Sequence, residues 1–238
     1  MKTIGIIGGM SAESTTHYYA RINAQVRERL GGLHAAEVII WSLDFAEIAA
    51  MQEKGLWKEA GVRLVDVAVR LERAGADVIL LATNTMHKVA DQITAAIKVP
   101  FIHIADATAE KIKAGGLKRS GLMATAYTME QDFYVGRLRA RHGLDVIVPD
   151  AADRAETHRI IYDELCKGIV AESSRTAYEA IAARLVGEGA DCLILGCTEV
   201  GMLLNQTNVS VPVFDTTLIH ADRAVDFALG GEARMAAE

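Results

Sequence analysis

Two short stretches hold the residues with chemistry to offer. Leu81-Ala82-Thr83-Asn84-Thr85 and Leu195-Gly196-Cys197-Thr198-Glu199 close the apolar runs Val78-Ile79-Leu80-Leu81 and Cys192-Leu193-Ile194-Leu195. The runs are introduced by Gly75-Ala76-Asp77 and Gly189-Ala190-Asp191, the same tripeptide at a constant offset of 114 residues. A cysteine just past a strand and just ahead of a helix has its thiolate favoured by the helix amides and dipole, and Cys197 fits that placement. Cys192 lies inside a strand and Cys166 on a helix, where an inert packed thiol is the plain reading. Thr83 alone would be a helix cap; its equivalence to Cys197 across the repeat adds a second role. If the two copies face each other, the Thr83 hydroxyl and the Cys197 thiol bracket one ligand from opposite sides. Asn84, Thr85 and Thr198 add hydroxyl, amide and backbone donors at helix starts, suited to a carboxylate and to the charge of an enolate-like carbanion. Capping alone is the alternative for each of the three.

The elements that must position these residues alternate along the chain. Ile4-Gly5-Ile6-Ile7 reads as a buried strand ending in a tight turn at Gly8-Gly9, with Ser11 or Ser14 to cap the helix that follows. Val38-Ile39-Ile40-Trp41 is a second strand. Leu64, Ala68 and Leu71 recur at helical spacing, Val78 to Leu81 is a third strand, and a helix is expected from about Thr85. Phe101-Ile102-His103-Ile104 is the fourth strand. The alternation restarts after Gly115-Gly116: Ser120 to Thr125 resembles Ile4 to Gly9, and Gly5, Tyr18 and Arg21 match Gly121, Tyr134 and Arg137 at an offset of 116. Val146-Ile147-Val148, Cys192 to Leu195 and Val211-Pro212-Val213-Phe214 are further strands. Ile160, Ile161 and Leu165 suit one helix, Tyr178, Ile181 and Leu185 another, and a last helix runs from about Leu218 to Leu229. The pattern predicts two pseudo-symmetric α/β domains of Rossmann-like or flavodoxin-like type with parallel sheets. One would span 1–103 plus 215–238 and the other 104–214, with an active site in the interdomain cleft at the strands' carboxyl ends.

Composition removes several function classes. A formal charge of −6 and the lack of a basic run give no nucleic-acid footprint. Three cysteines at irregular spacing do not make a disulfide framework or a zinc site. No stretch approaches the roughly 20 apolar residues of a membrane span, and no signal-peptide core follows Met1. A cytoplasmic protein without membrane or nucleic-acid partners is expected. His87 and His103 have no metal-ligand company and read as hydrogen-bonded core histidines. Gly8-Gly9-Met10-Ser11 fits neither common phosphate-binding pattern. Lys167 reads, on its own, as a solvated surface charge.

Ile6-Ile7-Gly8-Gly9-Met10-Ser11, Thr83-Asn84-Thr85-Met86-His87, Gly121 to Thr125 and Gly196-Cys197-Thr198-Glu199 together resemble the cofactor-independent aspartate/glutamate racemase family, across nearly the whole chain. The nearest branch is that of L-aspartate/glutamate-specific or broad-specificity amino-acid racemases. In the family two cysteines face each other across the substrate Cα. Here Cys197 fills the second position and Thr83 stands where most relatives have cysteine. The resemblance implies a racemase with no pyridoxal phosphate and no metal, commonly a homodimer, acting on a small amino acid. Cys197 would be the base for the L enantiomer and Thr83 the opposed donor. Asn84, Thr85 and Thr198 would hold the α-carboxylate, Met10 and Thr125 would line the pocket, and Gln52, in the loop after the second strand, would meet the substrate side chain. Lys167 aligns with a lysine that pairs with a distal carboxylate, which favours aspartate or glutamate. Dedicated aspartate racemases also carry an arginine near the second strand's loop, and none occurs between Leu43 and Trp57. A broader range, homoserine included, therefore stays open. Two alternatives share these residues: a diacid decarboxylase or cis–trans isomerase with one essential cysteine, and a non-catalytic amino-acid binder.

Overall fold

The computed structural model describes residues 1–230. The chain forms two compact units, Met1–His103 with the segment that begins at His220, and Ile104–Ile219. The first unit contains β1 (Ile4–Gly8), α1 (Ala12–Leu30), β2 (Val38–Ser42), α2 (Phe45–Glu53), α3 (Trp57–Arg73), β3 (Val78–Leu81), a 3-10 turn (Thr85–Val89), α4 (Ala90–Ala96) and β4 (Phe101–Ile102). The second contains α5 (Ile104–Ala114), β5 (Arg119–Ala124), α6 (Ala126–Glu130), α7 (Val135–His142), β6 (Asp145–Ile147), α8 (Ala151–Asp163), a 3-10 turn (Leu165–Lys167), α9 (Glu172–Gly187), β7 (Cys192–Gly196), a 3-10 turn (Val200–Met202) and β8 (Val213–Asp215). The chain ends its described course in α10 (Thr216–Ala228).

Each unit is built on four parallel strands in the same order, β2-β1-β3-β4 and β6-β5-β7-β8. Side chains alternate across a strand, so a sheet covered on both faces needs every residue apolar. β3 and β7 meet that demand in the same phase. Ile79 and Leu81 point into one core with Leu64, Val67 and Leu71 of α3, while Val78 and Leu80 point into the other with Tyr18 and Ile22 of α1 and Val225 of α10. In the second unit Leu193 and Leu195 join Ile181 and Leu185 of α9, while Cys192 and Ile194 join Ile112 of α5 and Leu138 of α7. On α3 the buried positions Leu64, Val67, Ala68 and Leu71 recur every three or four residues, the stripe that seats a helix on a sheet. Truncating one of its leucines to alanine costs about 2–5 kcal/mol through lost burial and the cavity left behind.

The turn after β1 is fixed by one glycine. Gly9 has φ +82, and a Cβ there would lie 2.2 Å from Leu43 O and 2.3 Å from Leu43 N. Nothing larger than glycine fits. Leu43 N donates to Gly8 O at 3.0 Å, and Gly9 N donates to Thr15 Oγ1 at 2.7 Å. Ser11 caps α1 by accepting from Ser14 N at 3.2 Å.

The duplication extends to the helices that close each unit. Arg21 of α1 makes a two-pronged pair with Asp222 of α10, both contacts at 2.6 Å. Arg137 of α7 does the same with Asp106 of α5, at 2.7 and 2.6 Å. Both partners are related by the same 116-residue offset.

Several element boundaries differ from the sequence-based expectation. The fourth strand is two residues long, and Ile104 opens α5 instead of continuing it. The β3–β4 ladder runs out at Leu80↔Ile102. The segment from Thr85 begins as 3-10 turn and becomes α-helical only at Ala90. Leu165 and Cys166 do not continue the helix of Ile160 and Ile161. They sit in a separate 3-10 turn ended by Gly168 in the left-handed conformation, φ 73.

Behind β4 lies a buried histidine, His220. Its Nε2–H donates to Ile102 O at 2.8 Å, and its Nδ1 accepts from the Tyr18 hydroxyl at 2.8 Å. Burial pushes its pKa from 6.5 down to about 4. Below pH 6.5 the unfolded chain takes up a proton that the folded chain refuses, so stability is complete above that pH and is lost as pH falls toward about 4. Each pKa unit is worth about 1.4 kcal/mol, so this site alone removes about 3 kcal/mol between neutral pH and pH 4. Urea unfolding at several pH values measures that slope, and His220→Gln is expected to flatten it; an unchanged slope would place the acid sensitivity elsewhere.

Candidate functional site

In each sheet the second crossover leaves in the opposite direction from the first. β1 connects to β2 on one side while β3 lies on the other, and β5, β6 and β7 repeat this. At such a switch the loops beyond the two central strands diverge and leave a crevice at their carboxyl ends. β1 pairs with β3 up to Ile7↔Leu81, and β5 pairs with β7 up to Ala124↔Gly196. The segments leaving those four strand ends are Gly9-Met10-Ser11, Ala82-Thr83-Asn84-Thr85, Thr125 and Cys197-Thr198-Glu199. Seven of the nine residues singled out from the sequence thus stand at one of the two switch points.

In the first unit Met10, Gln52, Thr83, Asn84 and Thr85 are all buried. Gln52 is not in a loop: it lies near the end of α2, 3% exposed, and its Nε2 donates to Met86 Sδ at 3.1 Å. The helix nonetheless sets it against the segment that follows Thr83. The backbone of Thr83 is held from both sides. Its N–H donates to Leu81 O at 2.8 Å, and its carbonyl accepts from His87 Nδ1 at 2.7 Å. A carbonyl only accepts, so that nitrogen carries the proton. The His87 ring lies 4.5 Å from His103 and 5.9 Å from His220, so three histidines pack behind this turn. His87 is thus a hydrogen-bonded core histidine.

In the second unit Thr125 caps α6 by accepting from Thr128 N at 3.3 Å. Ala126 N donates to His158 Nδ1 at 3.2 Å, and the His158 ring lies 4.7 Å from Tyr162. Cys197 is 9% exposed, and its Sγ donates to Glu199 Oε2 at 3.0 Å. Thr198 Oγ1 donates to the same oxygen at 2.6 Å. Glu199 itself is 1% exposed. Lys167 stands apart, its side chain 60% exposed and 3.8 Å from Asp163 Oδ1.

The state of the thiol corrects the sequence-based expectation. The element directly after Cys197 is not an α-helix but the three-residue 3-10 turn Val200–Met202, too short to lend a helix dipole. Burial first, then the charge of Glu199 and the presence of Cys166, hold the Cys197 thiol well above its usual range. Desolvation penalises the thiolate and a carboxylate at hydrogen-bond distance penalises it again. At rest the sulfur is therefore a thiol.

Two groups of the second unit carried no role in the sequence: Glu199, bonded to Cys197, and His158, bonded to the turn after β5. Glu199 belongs to the motif but has the ordinary prospect of a solvated carboxylate until its burial is known. His158 has no local signature, being one polar residue on an otherwise mixed helix. Among the described residues no cluster of three His, Cys, Asp or Glu side chains is placed to hold a metal ion.

Known proteins sharpen the assignment. A family model described as Asp/Glu/Hydantoin racemase matches residues 7–224. A crystal structure of a Yersinia pestis protein assigned provisionally as an Asp/Glu racemase is 54% identical, covers 96% of this chain and 100% of its own, and superposes with a TM-score of 0.89. That of an aspartate racemase homologue from Pyrococcus horikoshii is 38% identical over 96% of this chain and 100% of its own, with a TM-score of 0.83. The broad specificity amino-acid racemase RacX of Bacillus subtilis is 25% identical over 228 residues, which is 93% of this chain and 96% of that protein. With a doubled switch-point architecture and a family match over nearly its whole length, the chain belongs to the Asp/Glu/Hydantoin racemase family and is an enzyme of the isomerase class.

Proposed function

We propose that the protein is an amino-acid racemase that needs no pyridoxal phosphate and acts on aspartate and glutamate, with a range open to other amino acids such as homoserine. The observation that carries this reading is the doubling of one strand-to-turn unit that presents a hydroxyl at Thr83 in one copy and a thiol at Cys197 in the other. In this reading both turns address one Cα from opposite faces. Cys197, as thiolate, takes the proton from the L enantiomer and Thr83 Oγ gives one to the other face. Asn84, Thr85 and Thr198 hold the α-carboxylate and the charge that spreads into it as the Cα–H bond breaks. Met10 and Thr125 line the pocket, Gln52 meets the side chain, and Lys167 supplies positive charge for a distal carboxylate.

The pair is chemically unequal. A free thiol titrates near 8.5, whereas an aliphatic alcohol has no accessible alkoxide near neutral pH. Each pKa unit costs about 1.4 kcal/mol, so abstraction from the Thr83 side is the harder direction. Turnover still obeys the equilibrium between enantiomers. The inequality is expressed as fast Cα exchange on the Cys197 face and slower completion of inversion.

The reading includes a homodimeric, cytoplasmic enzyme. Three unbonded cysteines suit a reducing compartment, and no described helix is long and apolar enough to cross a membrane. A decarboxylase or cis–trans isomerase of small diacids would use Cys197 in the same way, and release of carbon dioxide from a substituted malonate, or conversion of maleate to fumarate, would select it.

Proton NMR in heavy water tests the assignment. L-Aspartate or L-glutamate is expected to lose its Cα proton signal faster than the D enantiomer accumulates. Cys197→Ala is expected to slow exchange by about 10²–10⁴-fold, the usual worth of a positioned base; exchange at the parent rate would remove Cys197 from that role. Thr83→Ala is expected to keep exchange into the L enantiomer and lose formation of the D enantiomer. Steady-state kinetics of Lys167→Gln should show KM for aspartate and glutamate raised about tenfold or more with neutral amino acids unaffected; an unchanged KM would contradict the distal-carboxylate role.

A further inference from the structure

The turn after β5 is backed by an imidazole whose work in the fold occupies only one of its two nitrogens. Ala126 N–H, the first amide beyond Thr125, donates to His158 Nδ1 at 3.2 Å. A backbone amide only donates, so Nδ1 is the acceptor and the neutral ring carries its proton on Nε2. Burial holds the His158 pKa below the usual 6.5, against the opposing charges of Glu130 and Asp163, so the ring is mainly neutral at pH 7. Tyr162, four residues on along α8, lies 4.7 Å from the imidazole, and Tyr127 meets it edge-on at 5.6 Å. One amide and two aromatic rings therefore fix where Nε2–H points.

Among the described residues no acceptor receives that Nε2–H. The chemistry around it indicates what would. Tyr162 also packs against the core cluster that contains Cys197. The imidazole is thus joined to the Thr125 turn by a hydrogen bond and to the surroundings of the thiol through one ring. Lys167 lies just beyond the end of α8, its ammonium 3.8 Å from Asp163, whose charge also reaches the His158 ring. A cation or an apolar group set against Nε2–H would leave the donor unpaired, at a cost. An anion with several lone pairs satisfies both the imidazole and the lysine. An exposed ammonium shared with a carboxylate discriminates weakly in water, and a preset neutral donor supplies the direction it lacks.

We propose that His158 is a specificity-determining residue: its Nε2–H donates to the distal carboxylate of an acidic amino acid, with the Lys167 ammonium as the second contact. The inference rests on the racemase reading and deepens it by naming the substrate class, amino acids that carry a side-chain carboxylate. The segment between Leu43 and Trp57 offers no arginine for that group, and His158 supplies a donor from the second unit instead. A hydrogen bond to a charged acceptor is worth about tenfold or more in affinity. A side-chain hydroxyl, being a neutral acceptor, gains less from the same contact.

Two variants separate the two ring nitrogens. His158→Asn keeps an acceptor for Ala126 N–H at the reach of Nδ1 and has no donor at the reach of Nε2. His158→Gln keeps an N–H at the reach of Nε2 and loses the Nδ1 acceptor. Steady-state kinetics of His158→Asn are expected to show KM for aspartate and glutamate raised about tenfold or more, with kcat changed far less. In His158→Gln, KM is expected to stay within about threefold of the parent. The opposite ranking of the two variants, or a fall in kcat with KM unchanged, makes His158 a support of the Thr125 turn alone and overturns the inference. The parent gives a second measurement, the 15N signal of His158 Nε2, assigned by its loss in either variant. It is expected to shift when aspartate is added to saturation, and a signal that does not move overturns the inference whatever the folding of the variants. Calorimetry with aspartate and Cα exchange on the same samples separate the two claims. Aspartate affinity lost in His158→Asn, with no exchange by the parent, leaves the His158 contact standing and removes the racemase reading. Exchange by the parent, with aspartate affinity unchanged in His158→Asn, does the reverse. A parent that neither binds nor exchanges acidic amino acids removes both.

Discussion

When two neighbouring parallel strands send their crossovers to opposite sides, their carboxyl ends are left uncovered by helix, and whatever follows those strands is presented at the rim. This constraint organises both units. It brings the turn after β1 next to the turn after β3, and the turn after β5 next to the turn after β7. The strands themselves can be purely apolar because helices cover both faces, so polar residues collect where the strands stop. Thr83 and Cys197 are the first groups with reactive hydrogens beyond β3 and β7. Their placement is a consequence of sheet topology, not of any separate framework.

The two halves share backbone plan and differ in charge chemistry. Behind Thr83 stand three histidine rings, one of them bonded to the Thr83 carbonyl. Beside Cys197 stand a buried carboxylate and a second thiol. Duplication produced equivalent positions, and side-chain divergence made them unequal. Burial and the neighbouring Glu199 both disfavour a thiolate at Cys197.

Much of the fold was legible because its signal is local. The runs at Val78 and Cys192 cannot be solvated, their tripeptide leaders are identical, and the offset between them is constant, so paired sheets followed. Boundaries were less legible where one residue type serves two states. Ile104 is as apolar as a strand residue needs, yet it opens α5, since the short pairing of β4 leaves it no partner strand. Leu165 keeps helical spacing with Ile161, but α8 stops at Asp163 and Leu165 falls in the 3-10 turn that Gly168 closes in the left-handed conformation. The candidate site divided in the same way. Thr83, Asn84, Thr85, Thr125, Cys197 and Thr198 follow strand ends and were readable from position. Gln52 reaches the Thr83 segment only because α2 carries it there, a tertiary fact. Glu199 was visible as a letter, but its meaning depends on being buried against the Cys197 sulfur, and pattern does not encode burial of a carboxylate.

The central claim is that one carbon is served by the Cys197 sulfur on one face and the Thr83 oxygen on the other. The most direct measurement is a crystal structure with L-aspartate or L-glutamate bound. The account predicts Sγ and Oγ on opposite sides of the Cα, each within about 3.5 Å as a reacting geometry requires. A ligand that touches only one of the two turns, or that binds away from both switch points, would contradict it.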